Sequence, residues 1–210
     1  SDDAVVGDMA QLSKPIKPVK PSKTFKGSKT EGVDTKPAVQ AVRVTPLMVP
    51  STFVGQIPPS HQSLSGSAQK ASFLKIALPL ILAGNEEILR RRDAIRRSNQ
   101  NDDRANLEKW AYLYNIQITD QDNNTLTRQL LGRADVIPVP IALAQAAIES
   151  GWGTSRFAIK GNALFGQYVW GVTNHGIIPN ERKTDAKYKI KSFNSLSESV
   201  ASYMKNLNNI

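Results

Sequence analysis

From about Ser67 onward, apolar side chains return at helical spacing. Phe73, Ala77, Leu80, Ile81, Gly84 and Ile88 follow the i, i+4, i+7, i+8 rule of a helix with one buried face. Pro79 lies inside that run and is expected to kink or split it, because proline has no N–H to donate and crowds the preceding turn. Glu86–Arg90 and Glu87–Arg91 stand four residues apart with the acid first, the favourable order on a solvated helix face. A second helix is expected after Asp102, turning Leu107, Trp110, Ala111 and Tyr114 inward, and a third from Thr125 to Leu131, stopped by Gly132.

The clearest helix signal runs from Pro138 to Gly151. Pro140 suits the first helical turn, where its missing N–H costs nothing. Ile141 to Ile148 is apolar on nearly every side, which predicts a buried helix, and Gly151 fits the left-handed position that ends it. Short strands and turns are expected between Gly161 and Phe193. Tyr168-Val-Trp170 and Ile177-Ile178 flank Thr-Asn-His-Gly and read as a hairpin, and Tyr188 to Phe193 alternates as a strand should. In the last helix Ser195 and Glu198 have the spacing of a capping box, ahead of a stripe of Leu196, Val200, Tyr203, Met204 and Leu207.

Residues 1 to about 65 show no such period. Eight prolines there lie among Lys, Ser, Thr and Val, so the segment is expected to be a disordered arm, with one folded domain over 66–210. Lys14, Lys17, Lys20, Lys23, Lys26 and Lys29 recur every third residue with no acid between them. In a polyproline II helix of three residues per turn they would form one cationic stripe. That pattern fits a solvated linker, or an electrostatic tether to an anionic envelope surface. The net charge of +9 points the same way, but there is no basic recognition helix, so nucleic acid is not an expected partner.

Other chemistries are narrowed by what is scarce. The chain has no cysteine and two histidines, His61 and His175, so no metal or other cofactor is expected. No apolar run of about 18 residues is present, hence no expected transmembrane helix. The chain opens Ser-Asp-Asp-Ala without a charged n-region or an apolar h-region, as in a cytoplasmic chain or a mature one whose export signal has been removed.

The informative string is Ala144-Gln-Ala-Ala-Ile-Glu-Ser-Gly-Trp-Gly-Thr-Ser-Arg-Phe157, followed by Gly161-Asn-Ala-Leu-Phe-Gly166. Glu149 falls in the last turn of the apolar helix, with Trp152 three residues on. The partial negative charge of a helix C-terminus and an apolar, aromatic surround both favour a protonated carboxyl. A proton held there could be handed to a departing sugar oxygen, as glycoside cleavage requires. The bland alternative is an ion-paired residue at the edge of the core.

This string resembles the glucosaminidase family, glycoside hydrolase family 73, and within it the Bax-like bacterial subgroup. The shared block is Gln145 to Gly153 with Gly161 to Gly166, continuing through Tyr188–Phe193 and Tyr203-Met-Lys-Asn-Leu207. Leu78-Pro-Leu-Ile-Leu and Asn85-Glu-Glu-Ile88 resemble that subgroup's helical lead-in. The resemblance implies a mainly α (α+β), lysozyme-like fold in which a helical lobe faces a small β-hairpin lobe. It implies hydrolysis of the β-1,4 bond after N-acetylglucosamine in peptidoglycan, outside the cytoplasm, in the periplasm or envelope. The motif glutamate carries over to Glu149 as general acid, and Trp152, Asn162, Phe165, Tyr168, Trp170 and Tyr203 are implied around the sugars, each with core packing as its alternative. Many members place a second carboxylate in the hairpin. Glu181 is the nearest here and Asp185 the runner-up, in surroundings that depart from the family pattern. Without it the substrate's N-acetyl group would serve as nucleophile. Members usually continue past the Asn-Leu-Asn of the last helix, so a domain short at its C-terminus is also expected.

Two rival readings remain at this level. A lytic transglycosylase also carries Glu-Ser at the end of a core helix, but usually with a Gly-Leu-Met-Gln type segment after it, where this chain has Asn-Ala-Leu-Phe-Gly. A non-catalytic peptidoglycan-binding protein on a degenerate lysozyme fold is the other.

Overall fold

The computed structural model describes Val49 and residues 53–171, 175–180 and 187–209. They belong to one unit, Leu47–Ile210. Most of the expected Lys/Pro-rich arm, including Lys14 to Lys29, lies outside the described residues, as do Glu181 and Asp185.

The first elements are a one-turn helix, α1 (Pro59–Gln62), and a 35-residue helix, α2 (Gly66–Gln100). Contrary to a split, α2 runs through Pro79 as one helix. Pro79 is buried among Phe73, Ile76, Ala77, Leu80 and Ile81, so tertiary packing holds the segment helical despite the lost hydrogen bond. Glu87 takes both neighbouring guanidiniums, Arg91 at 2.9 Å and Arg90 at 3.0 Å. Helices α3 (Arg104–Leu113) and α4 (Asn123–Arg133) follow, and the latter is longer at both ends than its apolar spacing predicts. The side chains of Asp103 and Asp122 accept the Asn106 and Thr125 amides and start these two helices. Leu107, Ala111, Tyr114, Leu126 and Leu130 then close a small core against Ile95 of α2.

The larger core lies at the other end of α2. Its Phe73, Ala77, Leu80 and Ile81 pack against α5 (Val139–Ser150) and α7 (Leu196–Leu207), with the short α6 (Arg156–Gly161) between these in sequence. Two features bring the helices close. A Cβ on Gly84 of α2 would meet the Met204 Sδ of α7 at 2.5 Å, so the bare glycine lets the two helices approach without displacing that side chain. The Asn85 side chain pairs with both backbone groups of Ile137, donating to its carbonyl at 2.8 Å and accepting its N–H at 2.9 Å. This amide clamp fixes the chain just where it enters α5.

The expected all-round burial of α5 does not hold. Ala142, Ala146, Ala147 and Ser150 are buried, whereas Ile141 and Ile148 are 54% and 76% exposed. One face of alanines sits against α2, and no described element covers the opposite face.

Three short strands complete the fold: β1 (Tyr168–Trp170), β2 (Gly176–Ile177) and β3 (Tyr188–Lys191), in the antiparallel order β1-β3-β2. The expected hairpin between Tyr168–Trp170 and Ile177–Ile178 is thus replaced. β3 lies between them, pairing Tyr168 with Ile190 on one side and Ile177 with Ile190 on the other. β3 presses directly on the glycine of β2: a Cβ on Gly176 would lie 2.7 Å from the Ile190 carbonyl oxygen. The fold is mainly α with a small antiparallel sheet, a lysozyme-like arrangement of a helical lobe and a β-lobe.

Residues upstream of 66 also take part in the fold. Ile57 and His61 are buried, and the Gly55 carbonyl accepts the Leu196 N–H at 2.9 Å, so this strap spans the start of α7.

Candidate functional site

Glu149 stands in the last turn of α5, exposed, on the open side of the helix. The chain then leaves the helix through three consecutive residues with positive φ: Gly151 at 57°, Trp152 at 57° and Gly153 at 78°. A residue with a Cβ pays about 1–2 kcal/mol to sit in the left-handed region, so Trp152 must be held there by its surroundings. Several bonds do this. The Trp152 N–H donates to the Ala147 carbonyl at 2.7 Å. Ser150, fully buried, donates to the Ala146 carbonyl at 2.6 Å and accepts the Gly153 N–H at 2.8 Å. The Trp152 ring meets Phe73 edge-on, at a centroid distance of 5.9 Å, with the Lys70 ammonium 5.2 Å from its centre. Trp152 is consequently half-buried, and part of its ring is committed to the core.

The second half of the motif comes back to the same place. Ser155 caps α6, and Asn162 ends it in a left-handed conformation at φ 51°, its side-chain amide donating to the Phe193 carbonyl at 3.1 Å. Gly166 has φ 58°, and a Cβ there would lie 2.9 Å from Glu149 Oε2. The Asn-Ala-Leu-Phe-Gly turn thus delivers bare backbone against the carboxylate. Phe165, just before it, is buried flat on Tyr203 of α7, with centroids 3.8 Å apart and planes 5° from parallel. The Tyr203 hydroxyl donates to the Gln145 side-chain carbonyl on α5, and burial raises the Tyr203 pKa. Tyr203 of α7 is therefore bonded to Gln145 of α5 and stacked on Phe165 of the motif turn, whose Gly166 lies beside Glu149.

On the β-lobe, Tyr168 and Trp170 share one face of β1 and are 55% and 63% exposed. Tyr168 meets the Tyr188 ring edge-on at 5.1 Å. Of the expected sugar-contacting residues, these two present ring surface to solvent, Trp152 and Asn162 are half-buried, and Phe165 and Tyr203 are buried. The burial expected around Glu149 is absent: the carboxyl lies on the open face of α5 rather than among apolar groups. Residues the sequence did not single out are Gln145, Ser150, Gly166 and His61. The first three lie inside the motif block, and a bonding role is the only signal separating them from its other members. Among the described residues no cluster of His, Asp and Glu could hold a metal ion, and no helix is long and apolar enough to cross a membrane.

Residues 125–210, which include the α5 motif, the sheet and α7, match the Glucosaminidase family, described as mannosyl-glycoprotein endo-beta-N-acetylglucosaminidase. Protein bax of Escherichia coli (strain K12) is 32% identical over 160 residues, covering 72% of this chain and 55% of that protein. The chain thus spans about half the length of this relative. No solved structure matches it. With the motif, the lysozyme-like fold and both similarities in agreement, residues 125–210 form a domain of the glucosaminidase family.

Proposed function

We propose that this protein is a peptidoglycan hydrolase that cleaves the β-1,4 bond after N-acetylglucosamine, with Glu149 as general acid. The observation that carries this reading is the placement of the Glu149 carboxyl. It projects on the exposed side of the α5 C-terminus and faces the side-chain-free backbone of Gly166. A carboxyl there is reachable by a polymer. Its proton would pass to the glycosidic oxygen as the bond to the anomeric carbon breaks, and water would complete hydrolysis. Tyr168 and Trp170 offer exposed aromatic surface on which sugar rings can stack. Phe165, Tyr203 and Asn162 would support the site from below through the contacts already described, and Trp152 would share its ring between core and ligand. Glu181 is the proposed second carboxylate, with Asp185 as alternative, and the substrate's own N-acetyl group would take that role if neither does. A peptidoglycan substrate places the protein outside the cytoplasm.

The deciding experiment is digestion of purified peptidoglycan with analysis of the new chain ends. New reducing N-acetylglucosamine ends, lost in Glu149→Gln, support the proposal. Anhydro sugar ends would identify a lytic transglycosylase, and binding to the polymer without new ends a non-catalytic protein.

A further inference from the structure

His61 lies far upstream of the motif, outside residues 125–210 that carry the family match, yet it is 1% exposed and touches the motif turn directly. Its Nε2 is 2.9 Å from the Trp152 carbonyl oxygen and its Nδ1 3.0 Å from the Ser72 hydroxyl. A carbonyl can only accept, so Nε2 must carry a proton. The Ser72 hydroxyl can donate or accept, so it adapts to Nδ1, and the carbonyl alone fixes Nε2 as the donor. The fit is also tight: a Cβ on Gly153 would stand 3.1 Å from His61 Nε2, 3.0 Å from Phe73 and 3.2 Å from Ile57.

The turn this bond reaches is the one under strain, with a tryptophan at φ 57° between two left-handed glycines. Such a conformation persists only where its surroundings over-determine it. Ser150 secures the Gly153 N–H from within the motif, and His61 secures the Trp152 carbonyl from outside it. Trp152 stands three residues after Glu149, so the direction of the last turn of α5, and with it the approach of the carboxyl to Gly166, depends on both anchors.

We propose that His61, donating from Nε2 to the Trp152 carbonyl, is a positioning residue that locks the Gly151–Gly153 turn and thereby holds Glu149 against Gly166. This rests on the reading of Glu149 as general acid. It gives the α1 strap a specific part in the site: the family-matched segment is completed by a hydrogen bond from a helix more than 60 residues upstream.

The test uses the full chain and two His61 variants. His61→Leu keeps an apolar body and removes the donor, whereas His61→Gln can still offer an N–H to the Trp152 carbonyl. On soluble peptidoglycan glycan chains, His61→Leu should lower kcat roughly 10–100-fold with KM little changed, the scale expected for a misplaced catalytic group, and His61→Gln should recover most of the loss. Nitrogen NMR of the wild-type ring should show the proton on Nε2. An Nε2 without a proton, an unchanged kcat in His61→Leu, or a Gln variant no better than Leu would overturn the proposal. Should His61→Leu fail to fold, His61→Met serves instead, an apolar chain of similar length that also lacks the donor. A reduced kcat that His61→Gln exceeds supports the proposal, and a kcat equal to that of the wild type refutes it. If Glu149→Gln itself retains turnover, the general-acid reading fails separately, and the His61 tautomer with Trp152 emission in the same variants still decides whether the turn is locked.

Discussion

The carboxylate of Glu149 lies 2.9 Å from the point that a Cβ on Gly166 would occupy, and Gly166 itself sits at φ 58°. Gly166→Ala therefore meets two penalties. The methyl must displace the carboxylate, and an L-residue in this conformation costs about 1–2 kcal/mol. Turnover should fall roughly tenfold or more as the carboxyl moves, while the melting temperature drops only moderately. Parallel kinetics and thermal unfolding check this, and wild-type turnover in the variant would mean that the contact does not set the position of Glu149.

Glu149→Gln should bind peptidoglycan yet lose turnover by about 10²–10⁴-fold, the usual worth of general acid catalysis. Glu149 is exposed and makes no ion pair with a described residue, so stability should change by no more than about 0.5 kcal/mol. A sedimentation assay with sacculi and a melting curve separate loss of chemistry from loss of fold.

Tyr203 contributes a stacked ring and one hydroxyl bond to Gln145. Tyr203→Phe keeps the ring against Phe165 and should cost about 0.5–1.5 kcal/mol, whereas Tyr203→Ala opens a cavity beneath the motif turn and should cost about 3–5 kcal/mol. Burial raises the Tyr203 pKa in the fold, so the unfolded chain loses this proton first as pH rises. The tyrosine's contribution is thus complete below about pH 10 and declines above it. Denaturant titrations at alkaline pH should show a steeper loss in the wild type than in Tyr203→Phe.

On α2, the hydrogen bond from Arg91, reinforced by Arg90, holds the Glu87 carboxyl below the ordinary glutamate value, against the opposing effect of burial. A depressed carboxylate stabilises the fold above its unfolded pKa and stops doing so as pH falls through its folded one. Because Glu87 is 45% exposed, the effect should be only a few tenths of a kcal/mol. Melting temperatures of wild type and Glu87→Gln should therefore converge as pH drops below about 4.5, the unshifted value.

The six lysines from Lys14 to Lys29 predict a salt-sensitive attachment. Removing residues 1–46 should leave the Leu47–Ile210 unit folded and weaken binding to sacculi at low salt, with the difference vanishing as salt screens it. Binding unchanged at every ionic strength would rule out the tether.

Much of this architecture can be read from local pattern. The Phe73-to-Ile88 stripe, the Gly151 stop and the Ser195 cap depend on residues within a few positions of each other, and each reappears in the structure as read. Glu149 was recognisable for the same reason, because the motif that carries it is contiguous. Three things were beyond such a reading. Pro79 is tolerated because the helix around it is clamped on a core assembled from distant segments. The order β1-β3-β2 depends on which strand reaches Gly176, and a two-residue strand carries too little pattern to choose its neighbour. The exposure of Ile141 and Ile148 depends on what stands opposite α5, which the composition of α5 cannot encode.

His61 marks the same divide most clearly. As a lone histidine among prolines, serines and glutamine it has no spacing, period or motif to distinguish it. Its meaning comes from a bond to a carbonyl 91 residues away, made possible by the packing of α1 on α2 and of α2 on the end of α5. The Gly151 stop, the Ser195 cap and the motif glutamate follow from short-range backbone and side-chain preferences, so the amino-acid order alone settles them. The tautomer of His61, the strained posture of Trp152 and the closeness of Glu149 to Gly166 are set by many weak long-range contacts acting together, and those exist only once the chain has folded.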